Sequence, residues 1–312
     1  SVSAFLLNRS SDLEIIFLGT SSAVHSKERN QASIAFKGLG EVFLFDCGEG
    51  TQRQMLSTLV SPMKISKIFI SHYHGDHILG LPGLLQSLGL HGREEKLTIY
   101  GPRGLNKVRN AIYSFGYCKI EFPVEFIEID SGIVEETEEY VIKAQMMRHN
   151  VPNLAYSIEE KKKPRFLREK AIELGVPEGP LFGRLHRGEE VEVDGNIITP
   201  EQVLGGPRKG IKITYSGDSR PCEEMIEFAR DSTVLIHEST FSKEDNENAE
   251  AHAHSTSVDA AYIAKQSNSK RLILTHLSTR YGENYTKTIL NEAKEIFENT
   301  ELAHDLETFE IR

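Results

Sequence analysis

The 312-residue chain is poor in cysteine: Cys47, Cys118 and Cys222 are widely spaced and odd in number. That excludes a disulfide framework and fits a reducing cytoplasm, and without a CxxC pair it argues against thiolate metal ligation. No hydrophobic run approaches the length of a membrane span, and no charged segment followed by an apolar one marks the start, so no membrane association is expected. Neither a fixed-period repeat nor a low-complexity tract is present. An excess of positive charge is also missing. With 36 Lys and Arg against 46 Asp and Glu, the formal charge is −10, which disfavours whole-surface affinity for nucleic acid and leaves room only for a local basic patch.

What remains is an ordinary soluble composition, 39% hydrophobic and 26% charged, on a chain long enough to bury a substantial core. Leu13–Leu18 reads as an apolar strand running into the small polar loop Gly19-Thr20-Ser21-Ser22. Ala32–Phe36 and Val42–Phe45 read as two more strands across a hairpin, and Thr51–Leu59 as a helix. Helices are expected over Ile78–Leu88 and Leu105–Tyr113, and strands over Leu97–Tyr100, Val124–Ile129, Tyr140–Met147 and Leu154–Ile158. A second βα half runs from Ile211 to Phe297. Strand-rich halves with βα alternation predict an α/β fold of two packed mixed sheets flanked by helices.

The densest chemistry lies in Ile68-Phe69-Ile70-Ser71-His72-Tyr73-His74-Gly75-Asp76-His77. A short apolar strand ends and three imidazoles and a carboxylate follow at once. Packing gives no reason for three imidazoles in one turn, because each needs a hydrogen-bond partner when buried. A divalent metal does, since neutral imidazole and carboxylate are its usual N and O ligands. In an extended segment His72 and His74 share a side, while Gly75 lets the chain turn so that Asp76 and His77 face elsewhere, which suggests two subsites. His149, Asp218 and His276 each follow a predicted strand, where loops from one sheet edge converge. Taken singly, His276 would be a core histidine and Asp218 a helix cap. Together with the main motif they make seven N/O donors, too many for one tetrahedral zinc and suited to two metals sharing a carboxylate. Asp46, also just past a strand, is either a partner of a ligand histidine or a turn residue.

His-Tyr-His-Gly-Asp-His resembles the signature of the metallo-β-lactamase superfamily of two-metal hydrolases. The stretches Phe17–Ser21, Lys27–Asn30, Phe45–Gln52, His149–Pro152, Gly206–Gly210, Tyr215–Asp218 and Leu274–His276 resemble, more narrowly, the short form of tRNase Z, the tRNA 3′-processing endoribonuclease. The resemblance implies an αββα metallo-β-lactamase sandwich spanning residues 1–312, two zinc ions per subunit, precursor tRNA as substrate, and a homodimer. It further implies that His72, His74 and His149 hold one zinc, that Asp76, His77 and His276 hold the other, and that Asp218 bridges them. Glu238, in His-Glu-Ser-Thr where the family has Ala before Thr, and His254, in His-Ser-Thr, correspond to a pair that assists proton transfer. His252 is the alternative, and the Ser-Thr after His254 decides against it. Asp76 is also expected to orient or deprotonate the attacking water.

Between residues 159 and 190 the pattern changes. Lys161, Lys162, Lys163, Arg165, Arg168 and Lys170 cluster on an acidic chain, and only one short helix, Leu167–Leu174, is expected. A charge run is usually a solvated face. Here, however, Gly179-Pro180-Leu181-Phe182-Gly183-Arg184-Leu185, with Arg187 close behind, resembles the flexible tRNA-binding arm of tRNase Z. Such an arm would hold folded RNA by shape and phosphate charge. The rival expectations are a two-metal hydrolase of the same superfamily acting on small phosphodiesters, and a metal-binding RNA-interaction protein without catalysis.

Overall fold

The computed structural model describes residues 13–116, 120–206 and 208–311; Cys118 and Pro207, both noted in the sequence, lie outside them. The chain divides into two compact units. One takes the chain up to Glu159 and from Ile211 onward, and the other is Glu160–Gly210.

The larger unit is built on two seven-stranded mixed sheets. In the first, the strands run in the order Thr308–Ile311, Leu13–Gly19, Ser33–Gly38, Glu41–Phe45, Ile65–Phe69, Leu97–Gly101, Val124–Glu128. In the second, the order is Thr300–Leu302, Leu272–Thr275, Val234–Glu238, Arg208–Tyr215, Asn153–Lys162, Tyr140–Met147, Gly132–Glu136. Strand Leu13–Gly19 shows why this becomes a layered sandwich. Its side chains alternate faces: Ile15 and Phe17 enter the core between the sheets, and Ile16 and Leu18 enter the core under the outer helices. Both faces are apolar because both are covered. Leu81, Leu84, Leu85 and Leu88 of helix Leu81–Leu90 cover the first sheet. Met225, Ala260, Ala261, Ile263, Ala264, Ile289 and Ala293 cover the second.

Two expectations change. The helix anticipated over Ile78–Leu88 is two helices, Gly75–Ile78 and Leu81–Leu90, with Pro82 in the first turn of the second, where its missing N–H costs nothing. The helix expected over Thr51–Leu59 stops at Met55. The last two strands, Thr300–Leu302 and Thr308–Ile311, went unanticipated because they are too short to show a period.

The smaller unit has its own core of Ala171, Val176, Leu185, Val191, Ile198 and Val203. Helices Arg168–Glu173, Pro180–His186 and Pro200–Val203 and the hairpin Val191–Val193/Asn196–Ile198 surround it. It runs on past residue 190, where the sequence pattern had placed the end of the insertion.

Phe69 stands at the centre of the inter-sheet core. Its ring lies 5.1 Å from Tyr100, 5.3 Å from Tyr156, 5.4 Å from Phe45 and 5.9 Å from Phe43 between centroids. Phe69→Ala is expected to lower unfolding free energy by about 3–5 kcal/mol, read as a shifted midpoint in denaturant titration at unchanged slope.

Candidate metal centre

The parallel strands Glu41–Phe45, Ile65–Phe69, Val234–Glu238 and Leu272–Thr275 end on the edges that carry the predicted donors, the carboxyl ends at which open α/β sheets bind ligands. Asp46, His72, Glu238 and His276 follow or close them directly. Asp218 follows strand Arg208–Tyr215 through Gly217, whose φ is +58°. A Cβ there would meet Asn153 Oδ1 at 2.7 Å and Ser71 Cβ at 2.9 Å, so only glycine lets this turn bring Asp218 in. Gly48 is required for a different reason: a Cβ would lie 2.4 Å from the Asp76 carbonyl oxygen.

All seven predicted donors come together. His72, His74, His149 and Asp218 form one group whose ligand atoms lie within 4.8 Å of one another, and Asp76, His77 and His276 form a second. Asp218 reaches both: Oδ2 is 3.6 Å from His72 Nε2 and 3.4 Å from His77 Nε2, and Oδ1 is 3.5 Å from His276 Nε2.

Hydrogen bonds at the far side of each ring settle which nitrogen faces the centre. Asp46 is fully buried. Its carboxylate accepts the Ser71 amide at 2.7 Å, the Ser71 hydroxyl at 2.8 Å, His77 Nδ1 at 2.8 Å and the Tyr215 hydroxyl at 2.8 Å. Of the two roles left open for Asp46, it takes that of partner to a site histidine. Because Ser71 Oγ gives its proton to Asp46, it accepts from His72 Nδ1 at 3.0 Å. His149 Nδ1 donates to the Ala253 carbonyl at 2.8 Å. Thr240 Oγ1 donates to Glu238 Oε2 at 2.6 Å and therefore accepts from His276 Nδ1 at 3.0 Å. With these protons committed, His72, His77, His149 and His276 turn Nε2 lone pairs inward, and His77 Nε2 and His276 Nε2 stand 3.2 Å apart. Two facing lone pairs repel unless a proton or a cation sits with them.

The charges agree. Burial opposes a charge on His77, but the surrounding Asp218, Asp46 and Asp76 carboxylates outweigh it and hold the ring well above its usual range. The pocket therefore calls for positive charge. Burial holds His72, His74 and His149 below their ordinary range, in the neutral form that binds metal. Asp218 is also held below its usual range: burial works against this, and His276, His77 and His72 prevail. Its Oδ1 is buried without a hydrogen-bond partner, a costly state for a carboxylate oxygen and a natural one for a metal ligand. The donor set fits divalent cations at two positions.

Beside this cluster, His254 Nδ1 lies 2.9 Å from Glu238 Oε1. Glu238, 1% exposed, also accepts the Ser219 amide at 2.9 Å. Burial disfavours a charge on His254, yet Glu238 overrides it and raises the ring to about 9. His252 is exposed and stacks on Phe241, away from Glu238. The residues that sequence reasoning missed are Ser71, Thr240, Tyr215 and two backbone groups, the Ala253 carbonyl and the Ala23 amide, which donates to Asp76 Oδ2 at 2.7 Å. Ser71 and Thr240 adjoin recognised motifs and could have been found there; a backbone group leaves no residue-type signal.

The basic residues belong to the smaller unit. Arg168 pairs with Glu178 at 2.6 Å, and Arg184 and Arg187 both pair with Glu189, at 3.0 and 3.1 Å. Lys162 lies 3.4 Å from Glu160, and Lys161 is half-buried. Lys163, Arg165 and Lys170 are exposed. Gly179, at φ +142°, precedes Pro180, which opens helix Pro180–His186.

A family model described as anti-Pycsar protein Apyc1 matches residues 13–110. The ribonuclease Z of Methanothermobacter thermautotrophicus is 53% identical over 96% of this chain and 97% of its own length. That of Methanosarcina mazei is 44% identical over 96% and 98%, and that of Bacillus cereus 46% identical over 96% and 99%. Among solved structures, the short form of human tRNase Z matches with a TM-score of 0.70 at 27% identity, over 96% of this chain and 99% of that one. A diphosphatase of the PhnP family shares the fold at 17% identity and a TM-score of 0.64, over 96% of this chain and 98% of its own. With relatives at 44–53% identity matched nearly end to end, the chain belongs to the ribonuclease Z family.

Proposed function

We propose that the protein is a zinc-dependent endoribonuclease that removes the 3′ trailer from precursor tRNA, leaving a 3′-hydroxyl on the tRNA and a 5′-phosphate on the trailer. The observation that carries this is the pair of donor groups with the Asp218 carboxylate within 3.6 Å of a histidine of each, set beside the Glu238–His254 pair. His72, His74 and His149 would hold one zinc, Asp76, His77 and His276 the other, with Asp218 touching both. When bound, the metal would supply Lewis-acid charge for the phosphate and lower the pKa of a water molecule.

The chain's own groups do the rest. Asp46 and Ser71 fix the ring planes of His77 and His72. Asp76 orients the attacking water and takes its proton. Glu238 holds His254 through Nδ1, so that His254 Nε2 delivers a proton to the departing 3′-oxygen. Lys161, Lys162, Lys163, Arg165, Arg168 and Lys170, with Gly179, Pro180, Arg184 and Arg187, form the surface that meets tRNA phosphates. Exposed Lys163, Arg165 and Lys170 lead because several of the others already have carboxylate partners. The proposal includes a homodimer, for which the highly exposed Leu56, Leu59 and Leu90 offer apolar surface to bury, and a cytoplasmic setting, in keeping with free Cys47 and Cys222. Among the described residues no helix is long and apolar enough to cross a membrane.

Wild-type protein incubated with a 3′-extended precursor tRNA should cut it at a single mapped position, and a chelator should abolish the cut. Asp218→Ala should lose both cleavage and bound zinc by elemental analysis; full activity in that variant would sink the two-metal assignment. His254→Ala should slow cleavage by about 10²–10⁴-fold while zinc content stays at wild-type level; loss of zinc would refute the proton-transfer role. The triple variant Lys163→Glu, Arg165→Glu, Lys170→Glu should weaken precursor binding and flatten its log–log salt dependence by about one unit per lost phosphate contact. Hydrolysis of bis(p-nitrophenyl) phosphate should be untouched in that variant, and an equal fall in both activities would contradict RNA binding by this surface.

A further inference from the structure

The two donor groups are supported differently. His72 is held by Ser71 and His149 by the Ala253 carbonyl. In the other group, Asp76 takes a backbone hydrogen bond from Ala23 at 2.7 Å, and Ala23 sits at φ +58°, a conformation that persists only where surrounding structure imposes it. His276 is at φ +61°, and the next amide, that of Leu277, donates to the Thr20 carbonyl at 2.9 Å. Besides the bonds of Asp46 to His77 and of Thr240 to His276, this group thus has two supports from the loop that begins at Thr20.

That loop is anchored from the far end of the chain. Asp305, in the connection between the last two strands, accepts the Thr20 hydroxyl on Oδ1 at 2.7 Å. Its Oδ2 accepts the Asn30 amide at 2.6 Å and Gln54 Nε2 at 2.8 Å. Asn30 in turn offers its carbonyl to the Ser21 amide at 2.9 Å. Arg29, 6% exposed, closes the loop from within: Nη1 donates to Thr20 Oγ1 at 2.7 Å and to the Ala303 carbonyl at 2.8 Å. One carboxylate therefore fixes both ends of the segment 20–30.

We infer that Asp305 is a positioning residue for the Asp76–His77–His276 half of the site alone, acting through Thr20 and Asn30 on the Ala23 amide and on the chain at His276. The inference rests on the two-metal reading above. Groups that orient metal ligands from outside the ligand set tune affinity by about 10–100-fold, so Asp305 biases the occupancy of one metal position and not the other.

The test is titration of metal-depleted protein with Co(II) alone, followed by visible absorption. Wild type should take two equivalents. In Asp305→Ala, one equivalent should weaken by about 10–100-fold and the other stay within about twofold. In a His276→Ala background, which leaves the first position, adding Asp305→Ala should change nothing. In a His149→Ala background, it should weaken the equivalent that remains. If Asp305→Ala does not fold, Thr20→Val and Thr20→Ser decide: the first removes the hydroxyl at nearly constant volume and should weaken one equivalent, and the second keeps it and should restore wild-type binding. Two equivalents weakened alike, or neither weakened in a protein that takes two, would overturn the positioning role. A wild type that takes only one equivalent would overturn the two-metal reading itself.

Discussion

A single buried carboxylate organises the edge that carries the donor cluster. Asp46 is fully buried, which is tolerable only if its lone pairs are met. They are met by four donors. Three come from Ser71 and His77, on the motif after strand Ile65–Phe69, and the fourth from Tyr215, on a strand of the opposite sheet. Its bonds therefore tie the two sheets together at the point where the site is built. They also set the tautomer of His77 directly and that of His72 through Ser71. Removing this carboxylate would do more than lose hydrogen bonds, because it would free two rings whose inward lone pairs define the donor set.

The backbone around the site is held in conformations that L-residues rarely adopt. Asp46, Ala23, Ala253 and His276 all have φ between +56° and +61°. Such residues persist where surrounding structure over-determines them. Here the sandwich supplies that constraint: strands packed on both faces against close-packed cores cannot shift without clashes or voids on either side. Rigidity of the core and precision of the donor cluster are thus one property. The same constraint explains Gly217, where the turn into Asp218 needs positive φ and the neighbouring Asn153 and Ser71 leave no room for a side chain.

How much of this was legible in the sequence follows from what each feature depends on. Strand Leu13–Gly19 could be read because its five apolar residues carry both cores, and His72–His77 because the residue types themselves name a metal. His149, Asp218 and His276 could be placed because each follows a readable strand. Within Glu160–Gly210 the helix expected over Leu167–Leu174 is present as Arg168–Glu173; the hairpin and the other two helices could not be read, since each contributes only one or two residues to their core and no period forms over so few. The supports of Asp76 and His149 are peptide groups of Ala23 and Ala253, which any residue would provide. Asp305 was invisible for another reason: its partners Thr20 and Asn30 are 285 and 275 residues away, and they are brought together by the pairing of the last strand with Leu13–Ile16 and by the bonds of Leu306 and Glu307 to Phe17.

Charge is distributed with the same economy. Glu160–Gly210 holds ten basic and nine acidic residues, so the unit is almost neutral, and six of the ten lie in 161–170 beside a single glutamate. The remainder of the chain carries a formal −11. A polyanion approaching such a molecule is repelled by most of its surface and attracted by one short segment. On the function proposed above, affinity for precursor tRNA would depend on phosphate contacts and salt, while the chemical step would depend on donors held by Asp46, Thr240 and the Thr20 loop. The two properties rest on different residues, so each can be changed without the other.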